Sequence, residues 1–113
     1  MTLSDSKNVK TLFAEALELH RKGEITHAIT AYQKIIEVFP TFAQAHNNLG
    51  VALRSKGLYL SSAAAYKRAL TIAPKDSGTL SNLGNVLRAL GKFSEAADMH
   101  RLALIHDPNY LEA

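Results

Sequence analysis

The feature that most constrains this chain is an internal repeat of 34 residues. Its three prolines stand at positions 40, 74 and 108, so both intervals between them are 34 residues. Glycines at 23, 57 and 91 keep the same spacing, as do those at 50 and 84. A fixed period of this length is typical of proteins in which each unit packs only against its neighbours. We therefore predict units at 9–42, 43–76 and 77–110, after an N-terminal extension at 1–8.

Each unit is predicted to form two helices joined by a tight turn. Apolar residues of the second unit recur at helical spacing until Gly57, which fits the left-handed end of a helix. A second helical pattern begins near Tyr59 and ends before Pro74, which cannot continue a helix. Because a glycine inside a helix costs about 1 kcal/mol relative to alanine, Gly50 and Gly84 indicate close contact between paired helices.

The period and its residues resemble the tetratricopeptide repeat. Asn-Leu-Gly at 48–50 and 82–84, the turn glycine, an aromatic residue two positions later, the alanines and the closing proline all match that pattern. The first unit departs from it, with Glu15-Ala16 where the others have Leu-Gly. The resemblance implies an all-α fold: an α-solenoid of three tandem helix–turn–helix repeats in a right-handed superhelix, with the first helices lining a concave groove.

Helical geometry assigns one stripe of side chains on each first helix to that groove. The stripe carries cations and amides and no carboxylate. An asparagine both donates and accepts, so it can bind the backbone of an extended peptide regardless of that peptide's side chains. Asn48 and Asn82 resemble the asparagine ladder of O-linked N-acetylglucosamine transferases. The predicted groove residues are Lys10, Arg21, Gln44, Asn47, Asn48, Val51, Arg54, Ser81, Asn82, Asn85 and Arg88.

Alternative interpretations of these side chains stay open. The amides are either a peptide-binding surface or merely solvated. Arg54 and Arg88, preceded by His20, form either a cationic ladder that selects acidic or phosphorylated ligands or a solvated row paired locally with a glutamate. Phe13 and Leu17 either form an apolar pocket at the mouth of the groove or pack against the chain that precedes residue 9.

One function known in this family is not expected here. Members that bind chaperone tails grip a C-terminal carboxylate with lysine, asparagine and arginine side chains from three repeats. Charge-assisted hydrogen bonds hold such a carboxylate, and the required cations are missing from this chain. Only Asn48 matches among the corresponding residues, which are Phe13, Leu17, Asn48, Gly78 and Asn82.

Composition and spacing exclude several other functions. The absence of cysteine excludes disulfides, Cys-ligated zinc and thiol catalysis, and no histidine has another four residues away, the spacing that places two metal ligands on one helix face. No nucleophile elbow is present, so we predict neither catalysis nor a cofactor. The net charge of +3 is too small for a dedicated nucleic-acid binder. No apolar run approaches the roughly 20 residues that span a bilayer, and we expect a cytoplasmic protein without membrane insertion.

The final residues, at 108–113, follow the same pattern as residues 40–45, with which the second unit begins. This pattern predicts the start of a truncated fourth repeat at 111–113. His100 and His106 are expected to make the end of the last helix polar. Ala103 and its apolar neighbours are expected to stay open, because no capping helix follows. This exposed C-terminal face is therefore expected to favour a homo-oligomer through end-to-end stacking.

Two function classes remain. The leading prediction is a non-catalytic protein–protein interaction scaffold that binds an extended peptide or a partner helix, with an acidic ligand favoured by the cations. The alternative is a substrate-recruiting N-terminal arm of a larger enzyme such as a glycosyltransferase, because the opening repeat and the asparagines resemble bacterial arrays that precede such domains. RNA binding is disfavoured, since only Phe13 among the groove residues is an aromatic that stacks on a base.

Overall fold

In a computed structural model, which describes residues 8–109, the chain forms six α-helices, and that part of it contains no strand. The first helices of the three units begin 34 residues apart, at positions 9, 43 and 77. The predicted segment at 111–113 lies outside the described residues. The helices are α1 (Val9–Arg21), α2 (Ile25–Val38), α3 (Ala43–Ser55), α4 (Tyr59–Ile72), α5 (Ser77–Ala89) and α6 (Phe93–His106).

The six helices are stacked as three antiparallel pairs. Within the pairs, α1 packs on α2, α3 on α4 and α5 on α6; between pairs, α2 packs on α3 and α4 on α5. The first helices α3 and α5 also contact each other. The result is an elongated molecule of 47 × 26 × 24 Å in which each pair packs against the next. The predicted all-α solenoid of helix–turn–helix repeats is confirmed.

Backbone geometry explains why each first helix ends where it does. Gly23, Gly57 and Gly91 have φ angles of +83°, +78° and +81°, in the left-handed region that favours glycine. At Gly57 the amide donates to the Arg54 carbonyl oxygen at 2.8 Å, and the next amide donates to the Leu53 carbonyl oxygen at 3.0 Å. These two bonds form a Schellman motif, which satisfies the carbonyls at a helix C-terminus. The predicted left-handed turns are confirmed.

A ring from the second helix packs against the small residue in the middle of the first. A Cβ atom added to Gly50 would lie 2.5 Å from Cε1 of Tyr66, and one added to Gly84 would lie 2.6 Å from Nε2 of His100. The corresponding pair in the first repeat is Ala16 and Tyr32, both fully buried. The helices are therefore close where the sequence predicts, and the reason is that the first helix leaves room for a ring.

The expectations for His100 and Ala103 on the last helix are wrong, whereas His106 and the apolar neighbours of Ala103 are exposed as expected. The His100 ring is half-buried against Gly84 and does not make the end of the helix polar. Ala103 is fully buried, and its carbonyl oxygen accepts a hydrogen bond from the Ser77 hydroxyl at 3.1 Å. Both residues lie on the side of α6 that faces α5. Among the described residues of α6, the more exposed apolar side chains are those of Phe93 and Ile105, and self-association stays a prediction.

We expect Gly50→Ala to lower the free energy of unfolding by up to about 2 kcal/mol. The new methyl overlaps the buried Tyr66 ring, which costs about 1–3 kcal/mol, and the gain in helix propensity returns about 1 kcal/mol. Chemical denaturation of the two proteins measures the difference. Gly84→Ala is the matched control and should cost less, since the His100 ring is only half-buried. Equal stability of Gly50→Ala and the wild type would mean that α3 and α4 relax to the spacing of the Ala16–Tyr32 pair.

Candidate functional site

The predicted groove residues differ in how much of their side chains reaches solvent. The amides Asn47, Asn48, Asn82 and Asn85 and the apolar Val51 are half-buried. Ser81 is buried, with 6% of its surface exposed, so it contributes little to an accessible face. The exposed members are Lys10, Arg21, Gln44, Arg54 and Arg88.

Asn47 joins the first helices of the second and third repeats. Its Oδ1 atom accepts hydrogen bonds from the Thr79 hydroxyl at 3.0 Å and from Asn82 Nδ2 at 3.2 Å. Its own Nδ2 donates to Asn48 Oδ1 at 3.1 Å. Asn47, Asn48 and Asn82 are thus neither an unengaged ladder nor merely solvated, because they bind one another, in part across the repeat boundary.

A second polar contact lies within the first repeat, where the Tyr32 hydroxyl is 3.0 Å from His20 Nδ1. Burial raises the pKa of Tyr32, and the Asn48 side chain opposes that increase. Hydrogen bonds between side chains connect the second and third repeats. We call this connected set the inter-repeat network; it consists of Asn47, Asn48, Thr79 and Asn82.

The cations of the predicted stripe fall into two groups. Arg21 binds Glu18 with two hydrogen bonds, at 2.6 and 3.0 Å, which lower the pKa of Glu18 and raise that of Arg21. Arg21 is therefore the cation that is paired locally with a glutamate. Within residues 8–109, Arg54 and Arg88 form no ion pair and no side-chain hydrogen bond, so their charges remain available to a ligand.

The aromatic residue near the mouth of the groove packs inward. The Phe13 ring meets Phe42 edge-on, with 5.1 Å between ring centroids, and lies tilted against Tyr32 at 6.1 Å. These contacts place the ring among residues of the first repeat and the start of α3, and not in an open pocket at the mouth of the groove. The interpretation that it packs against the chain preceding residue 9 falls largely outside the described residues. Leu17 is 40% exposed.

The second-repeat tyrosine differs from Tyr32 in its hydrogen bonding. The Tyr66 hydroxyl is buried and has no hydrogen-bond partner among residues 8–109. The Ser62 hydroxyl, one helical turn earlier, donates instead to the carbonyl oxygen of Gly50 at 2.7 Å. Burial raises the pKa of Tyr66, whereas the Ser62 hydroxyl and the positive charge of Arg54 lower it. The Tyr66 hydroxyl thus has no counterpart of the contact that the Tyr32 hydroxyl makes with His20.

Other chemistry is limited in the described part of the chain. Residues 8–109 contain no cluster of three or more histidine, aspartate or glutamate side chains suited to a metal ion. None of the helices in that range has the length and apolar character needed to cross a bilayer.

Sequence reasoning missed Thr79, the hydroxyl partner of Asn47. It also missed the two buried tyrosines, Tyr32 and Tyr66, although they occupy the same position of successive repeats. Asn48 lies sixteen residues after Tyr32, and Asn82 lies sixteen residues after Tyr66. This repeated spacing is the sequence signal that could have added the tyrosines to the predicted site.

We expect Asn47→Ala to lower the free energy of unfolding by about 1–3 kcal/mol, because it leaves the hydroxyl of the buried Thr79 without an acceptor. Thr79→Val removes that hydroxyl at nearly constant shape. The double variant Asn47→Ala/Thr79→Val should therefore lose less stability than the sum of the two single variants. Denaturant titration of the four proteins measures this coupling. Strict additivity would contradict a direct hydrogen bond between the two side chains.

Several solved structures share the fold. The chain is similar to MamA, with 21% identity and a TM-score of 0.85 over 94% of this chain and 62% of the MamA chain. It is similar to the first TPR of Spaghetti (RPAP3), solved with the HSP90 peptide SRMEEVD, with 20% identity and a TM-score of 0.87 over 89% of this chain and 80% of that one.

A third similar structure is the type III secretion chaperone SycD of Yersinia enterocolitica, solved in complex with a peptide of the translocator YopD. It is 18% identical, with a TM-score of 0.86 over 91% of this chain and 79% of SycD. At these identities the likeness shows the fold alone. The chain spans about 62% of the length of MamA. No curated protein sequence matches the chain significantly.

Family models agree with the helix pairs and their 34-residue period. Tetratricopeptide-repeat models match residues 13–77 and 78–105, which together cover most of the chain. The chain belongs to the tetratricopeptide-repeat family.

Proposed function

We propose that this chain is a non-catalytic, cytoplasmic interaction scaffold that binds an extended peptide or a partner helix on the face formed by its first helices. The observation that carries the proposal is a set of unengaged polar side chains on that face. Within residues 8–109, Arg54, Asn85 and Arg88 form no side-chain hydrogen bond or ion pair. They stand on neighbouring helices that contact each other directly.

Preorganisation is the proposed source of affinity. The inter-repeat network holds α3 and α5 in register, so this part of the scaffold loses little conformational entropy on binding. A flexible ligand has to be ordered, which keeps the affinity modest. The exposed guanidinium groups favour a ligand that carries carboxylates, because charge-assisted hydrogen bonds are about twice as strong as neutral ones.

Two relatives support a peptide ligand, since the RPAP3 domain and SycD were each solved with a bound peptide. The chaperone-tail mode of binding does not carry over to this chain. Its residues at the positions of the carboxylate clamp include the packed Phe13 and the cation-free Gly78. Asn48, which does match, is already bonded to Asn47.

The test is peptide selection followed by affinity measurement. Peptides enriched by phage display on the wild-type chain should bind the variant Arg54→Ala/Asn85→Ala/Arg88→Ala at least about tenfold more weakly, because two charged contacts and one amide contact are lost. Circular dichroism should show unchanged helicity and an unchanged melting temperature, since these side chains form no hydrogen bond or ion pair with another described residue.

The matched control is Gln33→Ala/Lys67→Ala/Arg68→Ala, which removes one amide and two cations from exposed positions on the second helices. It should bind the same peptides within about twofold of the wild type. Equal binding by all three proteins, or a larger loss in the control than in the groove variant, would rule out the proposed face.

A further inference from the structure

The segment that follows the turn glycine differs in chemistry from one repeat to the next. In the second repeat it is Leu58, Tyr59 and Leu60, of whose surfaces 50%, 39% and 73% are exposed. The same positions hold Glu24-Ile25-Thr26 in the first repeat and Lys92-Phe93-Ser94 in the third. All three turns have the same left-handed glycine, so the fold does not require the two exposed leucines of the second repeat.

These leucines line a cavity at the boundary between the second and third repeats. Its volume is about 410 Å³, and it is lined by residues 57–61 and by Leu90, which follows α5. One repeat earlier, the positions of its three leucines hold Glu24, Thr26 and Lys56. Three polar residues are thus replaced by leucine around one cavity, and this change favours an apolar occupant.

The charges beside the cavity indicate the character of that occupant. Lys56 and Lys92 each stand next to a turn glycine; both are exposed, and neither forms an ion pair within residues 8–109. Glu95 is the one acidic residue in the sequence at 52–62 and 86–96. A second copy of the chain, packed on the same surface about a twofold axis, would bring lysines together, which costs free energy. The charge therefore favours an acidic partner.

We propose that this cavity is a second docking site, which takes one bulky apolar side chain from a partner protein whose neighbouring residues are acidic. Burial of the apolar side chain supplies the affinity, and the lysines favour a segment with carboxylates. A depression between two turns fits a projecting side chain better than the smooth surface of a bilayer. The lining residues are separate from the predicted groove residues, so this site does not depend on the proposed groove function.

The experiment selects random peptides by phage display on the wild-type chain, after removal of those that bind Leu58→Lys/Leu60→Ser. These substitutions introduce the residue types that the third repeat has at the same positions, so the turn should fold, and the added cation does not repel an acidic peptide. The enriched peptides should share a large apolar residue next to aspartate or glutamate. In calorimetric titrations they should bind the variant at least about tenfold more weakly than the wild type.

The matched control is Val38→Lys/Ile105→Ser, which makes the same kinds of change at two exposed apolar positions outside the cavity. It should bind the selected peptides within about twofold of the wild type. Lys56→Gln/Lys92→Gln keeps the cavity and removes its charges. It should bind about threefold more weakly at low ionic strength, and the difference should disappear at high salt.

Two results of the selection would overturn the site: no enrichment over the counter-selection, or enriched peptides that lack acidic residues. Self-association of the wild type that is lost in Leu58→Lys/Leu60→Ser, measured by sedimentation velocity, would assign the cavity to a second copy instead. Cosedimentation with phosphatidylcholine–phosphatidylserine vesicles that is lost in the same variant would assign it to a lipid surface.

The triple groove variant separates this site from the groove, and it should bind the selected peptides as the wild type does. Loss of binding in the groove variant, with full binding in Leu58→Lys/Leu60→Ser, would place the peptides in the groove. That result would overturn the second site and leave the proposed function intact.

Discussion

Each helix pair of this protein depends on a ring that packs against a small residue of its partner helix. In the second and third pairs the small residue is a glycine, and the ring occupies the space that a Cβ would take. This contact sets the distance between the helices and so the thickness of each repeat. For tyrosine it has a second consequence, because a hydroxyl at the far end of the ring is placed inside the structure, where the Tyr32 hydroxyl lies 3.0 Å from His20 Nδ1.

Packing and polar chemistry are therefore coupled at the repeat boundary. Apolar contacts alone would let one helix pair slide on the next, since they are non-directional. The hydrogen bonds of Asn47 to Thr79 and Asn82 require one register between α3 and α5. Half-buried amides are costly unless they are satisfied, and Asn47, Asn48 and Asn82 satisfy one another. The groove gains rigidity from side chains that the sequence suggests for ligand binding.

The sequence predicted the helices, their period, the turn glycines and the solenoid, because these follow from spacing along the chain. It did not predict which atoms meet across the repeats. Ala103 and His100 were assigned to an open end, although the face of α6 that carries them is covered by α5. Arg21 is neutralised by Glu18, a residue outside the stripe. Helical periodicity fixes the face of a residue, whereas its hydrogen-bond partner depends on side-chain rotamers and on residues up to 35 positions away.

A repeat protein provides its own reference for what its side chains do. Where two repeats carry the same residue, such as Tyr32 and Tyr66, shared geometry is explained by the fold. Where they differ, as His20 differs from Arg54, the fold does not require one particular residue at that position, and the side chain is free to serve another role. The His20 ring lies 3.0 Å from the Tyr32 hydroxyl, whereas the Tyr66 hydroxyl has no hydrogen-bond partner among residues 8–109. We therefore expect binding specificity to arise where the repeats differ from one another and not at the residues that they share.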